Sequence, residues 1–444
     1  MVLEAVSHLV REVVDPNKAI LAILASIVVF GLRNWARGFI NEAERDLHGK
    51  TYLLVVRYAS PTLIFTSWRR AQKTRGQGCF SGPGLSLLQA LAARGAQIVA
   101  LHPDPMDAEV TQLILLLRSA ARNERIYADQ CDMLSIASVQ RFAAQWSKNG
   151  KSGMVQDLEA KIDGVVFSDG LGSGLSAAPT SQEIHQVQVR SRLAMIQFLL
   201  PVLLKSSRNS TSGVRIVSQV SPLYSAALDH STTLSLNCIL PDERASAPAT
   251  DNVFYGSSWR TQGRSALAAI LLVQELHTRF ATRNPNLLFI SVCPGFTRSF
   301  LHASIGNIRR GGWPLRLLAY PFIWVFAKSA SEASQILLTA LLADVRKPEV
   351  IDPAAPPDEG AVCRATKSEI PPVVILRGGT LVREGREVRI MGLDSRNLLG
   401  SNLWAHENLA IDAELKLAAE RKKPVGREGA EGDPHPGAGR AKSE

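Results

Sequence analysis

Cysteine is scarce in this chain. The five present, at positions 79, 131, 238, 293 and 363 of 444 residues, form no C-x-x-C pair and none of the usual zinc spacings. That argues against a disulfide scaffold and a structural metal, and it fits a reducing compartment. Aromatic residues make up only 6 % of the chain, and Lys and Arg scatter without aromatic interleaving, which argues against a nucleic-acid surface. The net charge of +10 is partly a tail effect, since Arg421 to Lys442 is rich in basic residues, and it suits an anionic membrane face better.

Long apolar runs are lacking too. The uncharged run at residues 19–32 lies between Lys18 and Arg33. At ~1.5 Å per residue it reaches about 21 Å, short of the ~30 Å hydrocarbon core of a bilayer. No small-residue cleavage site follows it; Arg33, Trp35, Arg37 and Phe39 do, and basic and aromatic residues at that end suit an interfacial anchor. A buried core helix and a cleaved signal are the alternatives. The segment Trp313 to Ala327 is unusually aromatic and carries a single charge, at Arg316. It reads equally as core or as a second membrane-facing surface.

What is present is a glycine loop at the head of an alternating chain. Residues 78–84, Gly-Cys-Phe-Ser-Gly-Pro-Gly, run straight into a helical pattern over residues 85–94 and then the apolar strand Ile98 to Leu101. Glycines at the start of a helix between two strands make a phosphate cradle: the turn needs positive φ, the backbone must approach the diphosphate closely, and the helix N-terminus supplies free N–H groups. Strands at 51–56, 125–129, 162–167, 214–220 and 287–292 alternate with helices at 139–146, 182–205 and 266–280. With 46 % hydrophobic and 20 % charged residues, this predicts one α/β domain with a doubly wound parallel sheet, the Rossmann arrangement. The divisions expected are an N-terminal anchor and spacer (1–47), the nucleotide-binding domain (48–345), a C-terminal extension (346–419) and a disordered basic tail (420–444).

One stretch breaks the pattern. The strand Thr51 to Val56 should lead into the glycine loop within a few residues, yet residues 57–77 intervene without a clear period. Either this is an insertion beside the phosphate site or it is translated intron. The intact strand and loop on either side favour the intron, and sequencing the mature transcript decides between them.

Over residues 48–345 the chain resembles the short-chain dehydrogenase/reductase family. Gly78, Gly82 and Gly84 fall on the family's T-G-x-x-x-G-x-G loop, with Gln77 where Thr is usual and Ser81 within the loop. Asp132 falls on the Asp that contacts adenine. Phe167-Ser168-Asp169-Gly170 stands where N-N-A-G is expected, and Gly170 agrees. Pro294-Gly295 matches the segment that covers the nicotinamide, and Lys328-Ser329-Ala330-Ser331-Glu332 resembles the K-S-A-x-E start of the following helix. Within the family the chain looks most like the membrane-associated, retinol-dehydrogenase-like branch, including fungal members of the endoplasmic reticulum and lipid droplets.

The resemblance implies NAD or NADP as cofactor, a lipophilic alcohol or carbonyl as substrate, and a place on the cytosolic face of the endoplasmic reticulum or a lipid droplet; it is compatible with a homodimer. His102 and Asp104, after the second strand, do not decide between NADP and NAD. Family chemistry needs a Tyr to donate the proton, a Lys to lower that Tyr's pKa, a Ser to orient the carbonyl and an Asn to complete the relay. Ser221 stands at the Ser position, with Ser218 second; a capping hydroxyl is the plain alternative. The Tyr-x-x-x-Lys pair is altered. One register places Gln262 and Ala266 there. The other restores Tyr255 but leaves Trp259 at the Lys position, and Gln188 stands in for the Asn. These losses support a second reading, in which the fold persists as a binding or scaffold module at a membrane.

Overall fold

The computed structural model describes residues 16–37, 45–56, 82–149, 161–168, 181–210, 213–227, 236–241, 257–281, 283–298, 300–301, 312–342, 381–383, 386–388 and 397–422. Helix α1 (Pro16–Arg37) precedes the sheet. The first half then alternates β1 (Thr51–Val56), α2 (Gly82–Ala93), β2 (Gln97–His102), α3 (Ala108–Ala121), β3 (Ile126–Gln130) and α4 (Ile136–Asn149). The second half runs β4 (Gly164–Ser168), α5 (Ser181–His185), a π-turn (Gln186–Arg190), α6 (Ser191–Asn209), β5 (Val214–Gln219), a 3-10 turn (Pro222–Ala227), α7 (Leu236–Ile239), α8 (Ser257–Ala281) and β6 (Leu287–Cys293). Helices α9 (Gly312–Phe326) and α10 (Ala330–Leu342) follow, then β7 (Leu381–Arg383), β8 (Arg386–Val388) and α11 (Asn397–Lys422).

The strand order is β3-β2-β1-β4-β5-β6-β7-β8, with β1 to β7 parallel and β8 antiparallel. This is the expected doubly wound, Rossmann-like sheet. Its cause is visible in the strand sequences. Leu53, Val55, Val99 and Leu101 enter one hydrophobic core, while the alternating Tyr52, Leu54, Ile98 and Ala100 enter the other. A strand with period-two burial on both faces must be covered by helices on both sides. Helices α4, α6 and α8 fill the first layer and α2, α3 and α10 the second.

Two helix expectations change here, and the C-terminal divisions gain detail. The apolar period predicts a helix from Ala266, but α8 begins at Ser257; its first turns, Ser257 to Gly263, are polar apart from Trp259 and carry no apolar stripe to read. The helix expected at 182–205 is interrupted by the π-turn. The extension is built into the fold: β7 pairs with β6, and α11 sends Leu403 and Ile411 into the first core. Helix α11 also runs to Lys422, past the tail boundary at 420, because its Glu, Lys, Leu and Ala are good helix formers. Residues 57–77 and 423–444 lie outside the described residues.

Among the described residues one segment is long and apolar enough to cross a membrane, Ser181–Asn209, but it is the core helix of the second half, 67 % buried inside the fold.

Candidate active site

Every strand from β1 to β6 ends at the same edge, and the chain changes direction between β1 and β4, so the crevice of a doubly wound sheet opens there. Helix α2 starts on that edge. Gly82 has φ +54°, the left-handed region that a side chain disfavours. Pro83 supplies a pre-set φ in the first turn, and Gly84 is buried beside it. The helix is held in place by Leu87, Leu88 and Leu91, all fully buried against the sheet. The described part of the loop therefore fits a diphosphate: a left-handed glycine, no side chain at 82 or 84, and the N-terminus of a three-turn helix. Gly78 and Ser81 lie outside the described residues.

Next to the cradle, polar side chains serve their own turns. Asp132 Oδ1 accepts from Leu134 N at 2.9 Å and its N–H donates to Ser138 Oγ at 3.1 Å. His102 is buried, with Nδ1 2.6 Å from Asp104 O, while the exposed Asp104 accepts from Met106 N at 3.1 Å. Burial pushes the Cys131 thiol up to about 12, so it is no nucleophile.

The other half of the edge is interlocked. Arg192 of α6, buried, donates from Nη1 to Ser218 Oγ (2.7 Å) and Gln219 O (2.9 Å), and lies 5.7 Å from the Phe167 ring. Ser168 Oγ donates to Gln219 Oε1 at 2.8 Å. Ser218 is thereby committed to the arginine. Ser221 stands just past β5, buried, and its Oγ accepts from Leu223 N at 3.3 Å, the turn role foreseen as the plain alternative. Helix α8 crosses that turn closely: a Cβ on Gly263 would lie 2.4 Å from Leu223 O. The crossing brings Gln262, whose buried Oε1 has no hydrogen-bond partner among the described residues, beside the Ser221 turn. Ala266 is buried in the first core, and no lysine occurs anywhere on α8. Tyr255 and Gly170 lie outside the described residues.

Gln188 sits in the π-turn, 1 % exposed. Such turns widen a helix and often mark working positions. Helix α11 braces this one. His185 Nε2 lies 2.9 Å from Glu407 Oε1, and Arg190 donates to Glu407 Oε2 (2.9 Å), Glu414 Oε1 (2.8 Å) and Gln186 Oε1 (2.9 Å). Burial works against ionising Glu407, but His185 and Arg190 outweigh it and hold the carboxyl at about 2. This brace is invisible to motif reading, since its partners lie more than two hundred residues apart in the chain.

After β6 come Pro294 and Gly295, the latter at φ +86°. Thr297 pairs with Lys328 in a short parallel bridge, with Lys328 N donating to Phe296 O (3.0 Å) and Arg298 N to Lys328 O (2.9 Å). The same corner holds the two apolar helices. Arg33 of α1 donates to Ala327 O (3.1 Å), pairs with Glu332 (2.5 Å) and lies 5.9 Å from the Trp324 ring; Arg298 lies 5.8 Å from that ring. Outward from it, Leu21 and Phe30 of α1 and Leu318 and Phe322 of α9 are each about two-thirds or more exposed.

No protein-family model matches the chain. Two curated proteins are similar. An uncharacterized oxidoreductase of Saccharomyces cerevisiae is 25 % identical over 339 residues, covering 70 % of this chain and 72 % of its own. An uncharacterized oxidoreductase of Schizosaccharomyces pombe is 24 % identical over 349 residues, covering 75 % and 80 %. Solved structures superpose more loosely. An uncharacterized protein of Mycobacterium paratuberculosis is 14 % identical, with a TM-score of 0.47 over 84 % of this chain and 98 % of that one. A short chain dehydrogenase of Shigella flexneri is 15 % identical, with a TM-score of 0.42 over 68 % and 89 %. These superpositions add nothing to the sheet order given above.

Proposed function

We propose that the protein is an NAD(P)-dependent oxidoreductase of the short-chain dehydrogenase/reductase type, acting on a lipophilic alcohol or carbonyl at a membrane surface. The observation that carries this reading is the α2 start: a left-handed Gly82 and a bare Gly84 at the switch point of a doubly wound sheet, where a dinucleotide's diphosphate has its natural seat. The two similar oxidoreductases support it. Gly82 and Gly84 would hold the diphosphate, Asp132 would face the adenine, and the Pro294-Gly295 turn would cover the nicotinamide. The cofactor, when bound, supplies a hydride to the carbonyl carbon. Ser221 orients the carbonyl oxygen and Tyr255 delivers its proton. The proposed setting is the cytosolic face of the endoplasmic reticulum or a lipid droplet. The uncovered apolar residues of α1 and α9, joined at Arg33 and Trp324 beside the end of β6, favour it because an apolar substrate would reach the site from lipid.

A second reading, a dehydrogenase fold kept as a binding module, is favoured by one observation: α8 carries no lysine, and Ala266 is buried where it would stand. Turnover separates the two. With NADPH or NADH and a long-chain aldehyde or ketone in detergent micelles, the full chain should oxidise cofactor. Ser221→Ala and Tyr255→Phe should each lower that rate about a hundredfold or more. Cofactor binding without turnover on any lipophilic carbonyl or alcohol would favour the binding module, and unchanged rates in both variants would remove these two residues from the mechanism.

A further inference from the structure

We infer that Lys328 is the cation of the dinucleotide site, gripping the diphosphate beside the α2 N-terminus and supplying the lysine that α8 lacks. The inference rests on the cofactor reading above and adds to it a residue outside the catalytic helix.

Four observations converge on Lys328. First, it stands at the working edge. The isolated Thr297–Lys328 bridge lies four residues past the C-terminal end of β6, the same edge on which α2 opens. Second, its amine reaches the turn there. A Cβ built on Gly295 would meet Lys328 Nζ at 3.7 Å, Cε at 3.9 Å and Cδ at 4.0 Å, so the side chain lies along the glycine, stem and head together. Third, Lys328 lies two residues ahead of α10, and α10 packs along α2 on the same face of the sheet. Helices returning from a parallel sheet all start at its C-terminal edge, and packed neighbours lie roughly 8–10 Å apart. The α2 cradle and Lys328 therefore lie at the starts of two packed helices on one edge, where a diphosphate between them comes within the five-atom reach of a lysine. Fourth, the backbone of Lys328 is fixed by hydrogen bonds on both sides, to Phe296 O and from Arg298 N, so the residue is presented by a strand pairing and needs no loop to order around it.

Burial decides how much such a charge is worth. Lys328 is 5 % exposed. An ammonium close to an anion gains several-fold more where solvent is excluded than it does in water. A cation this well buried and this well held contributes affinity for an anion without paying again for orientation. Arg298, in the same bridge, is engaged elsewhere: its Nη2 donates to Trp324 O at 3.1 Å and its guanidinium sits by the Trp324 ring.

The test is cofactor affinity in the full chain, read by NADPH and NADH fluorescence and by the cofactor-induced rise in melting temperature, each variant against its own cofactor-free state. Lys328→Met should raise Kd for both cofactors about tenfold or more, and added salt should weaken its binding less than it weakens the wild type. Lys328→Arg, which keeps the charge, should stay within about threefold. Lys328→Gln keeps a polar group in the buried position and stands in where the Met variant does not fold. Cofactor binding by Met and Gln variants equal to that of the wild type would overturn the inference alone. A wild-type chain that binds neither cofactor would overturn the dinucleotide reading itself, and this inference with it.

Discussion

The two halves of the sheet treat the same edge in opposite ways. Around β1 to β3 the described residues leave the edge bare of reaching side chains: Gly82 and Gly84 offer backbone, while Asp132 and Asp104 cap their own turns. Around β4 to β6 it is filled. Arg192 ties β5 to α6, Ser168 ties β4 to Gln219, and α11 reaches back to brace the π-turn through Glu407. A bare edge is what a phosphate needs, because backbone N–H groups and close approach do the binding. A filled edge holds side chains rigidly about a reacting centre, and it can be rebuilt with different residues if something else supplies the support. In this chain that support is the C-terminal extension.

The contrast makes unequal demands on stability. The largest effect should come from Glu407→Ala, which leaves Arg190 and His185 facing a buried gap; removing one partner of a buried pair costs roughly 3–5 kcal/mol. Thermal unfolding should show it, with Leu403→Ala close behind at about 2–5 kcal/mol because Leu403, on the same helix, is fully buried in the first core. The brace also carries a pH signature. Glu407 titrates at about 2 in the folded chain against an ordinary 4.5, so its stabilisation is complete above that ordinary value and disappears as pH falls through about 2. Acid unfolding of the wild type should steepen over that window, and Glu407→Gln should flatten it.

Gly263→Ala acts at the join between the filled half and the Ser221 turn. Its Cβ would push on Leu223 O, so the Ser221 turn must shift, at a cost of about 1–3 kcal/mol. Turnover should fall more than cofactor affinity does; the reverse order would place the Ser221 turn outside the reacting centre. On the bare edge, Gly82→Ala should cost only about 1–2 kcal/mol of local strain yet weaken NADPH binding about tenfold. If stability fell and binding did not, the cradle would be an ordinary turn. The smallest effect expected is from Arg33→Ala, which frees the end of α1 from Ala327, Glu332 and Trp324. Flotation with phosphatidylcholine–phosphatidylserine vesicles should drop by a few-fold while cofactor binding holds.

The same contrast explains what could be read from the sequence. The bare half was legible because its signals are local: Gly82 and Gly84 lie within one turn, and Leu53 and Val55 alternate with Tyr52 and Leu54 along one strand. Strand positions in the other half were legible for the same reason. Its support was not. His185 and Glu407 meet across the whole second half of the chain, and only tertiary packing brings a carboxylate of one helix to a π-turn of another. The polar first turns of α8 hid its start, since Ser257 to Gly263 have no apolar stripe. Lys328 stood in plain view as part of Lys328-Ser-Ala-Ser-Glu332, but as a helix start; its placement beside Gly295 depends on a bridge between residues 297 and 328 that no spacing rule anticipates.

Whether the Gly82–Gly84 edge takes a dinucleotide is measured directly by a fluorescence titration of the full chain with NADPH and with NADH. Saturable binding of at least one of them, half-complete below about 1 mM, is the predicted result; no fluorescence change at millimolar concentrations of either would contradict the account at its centre.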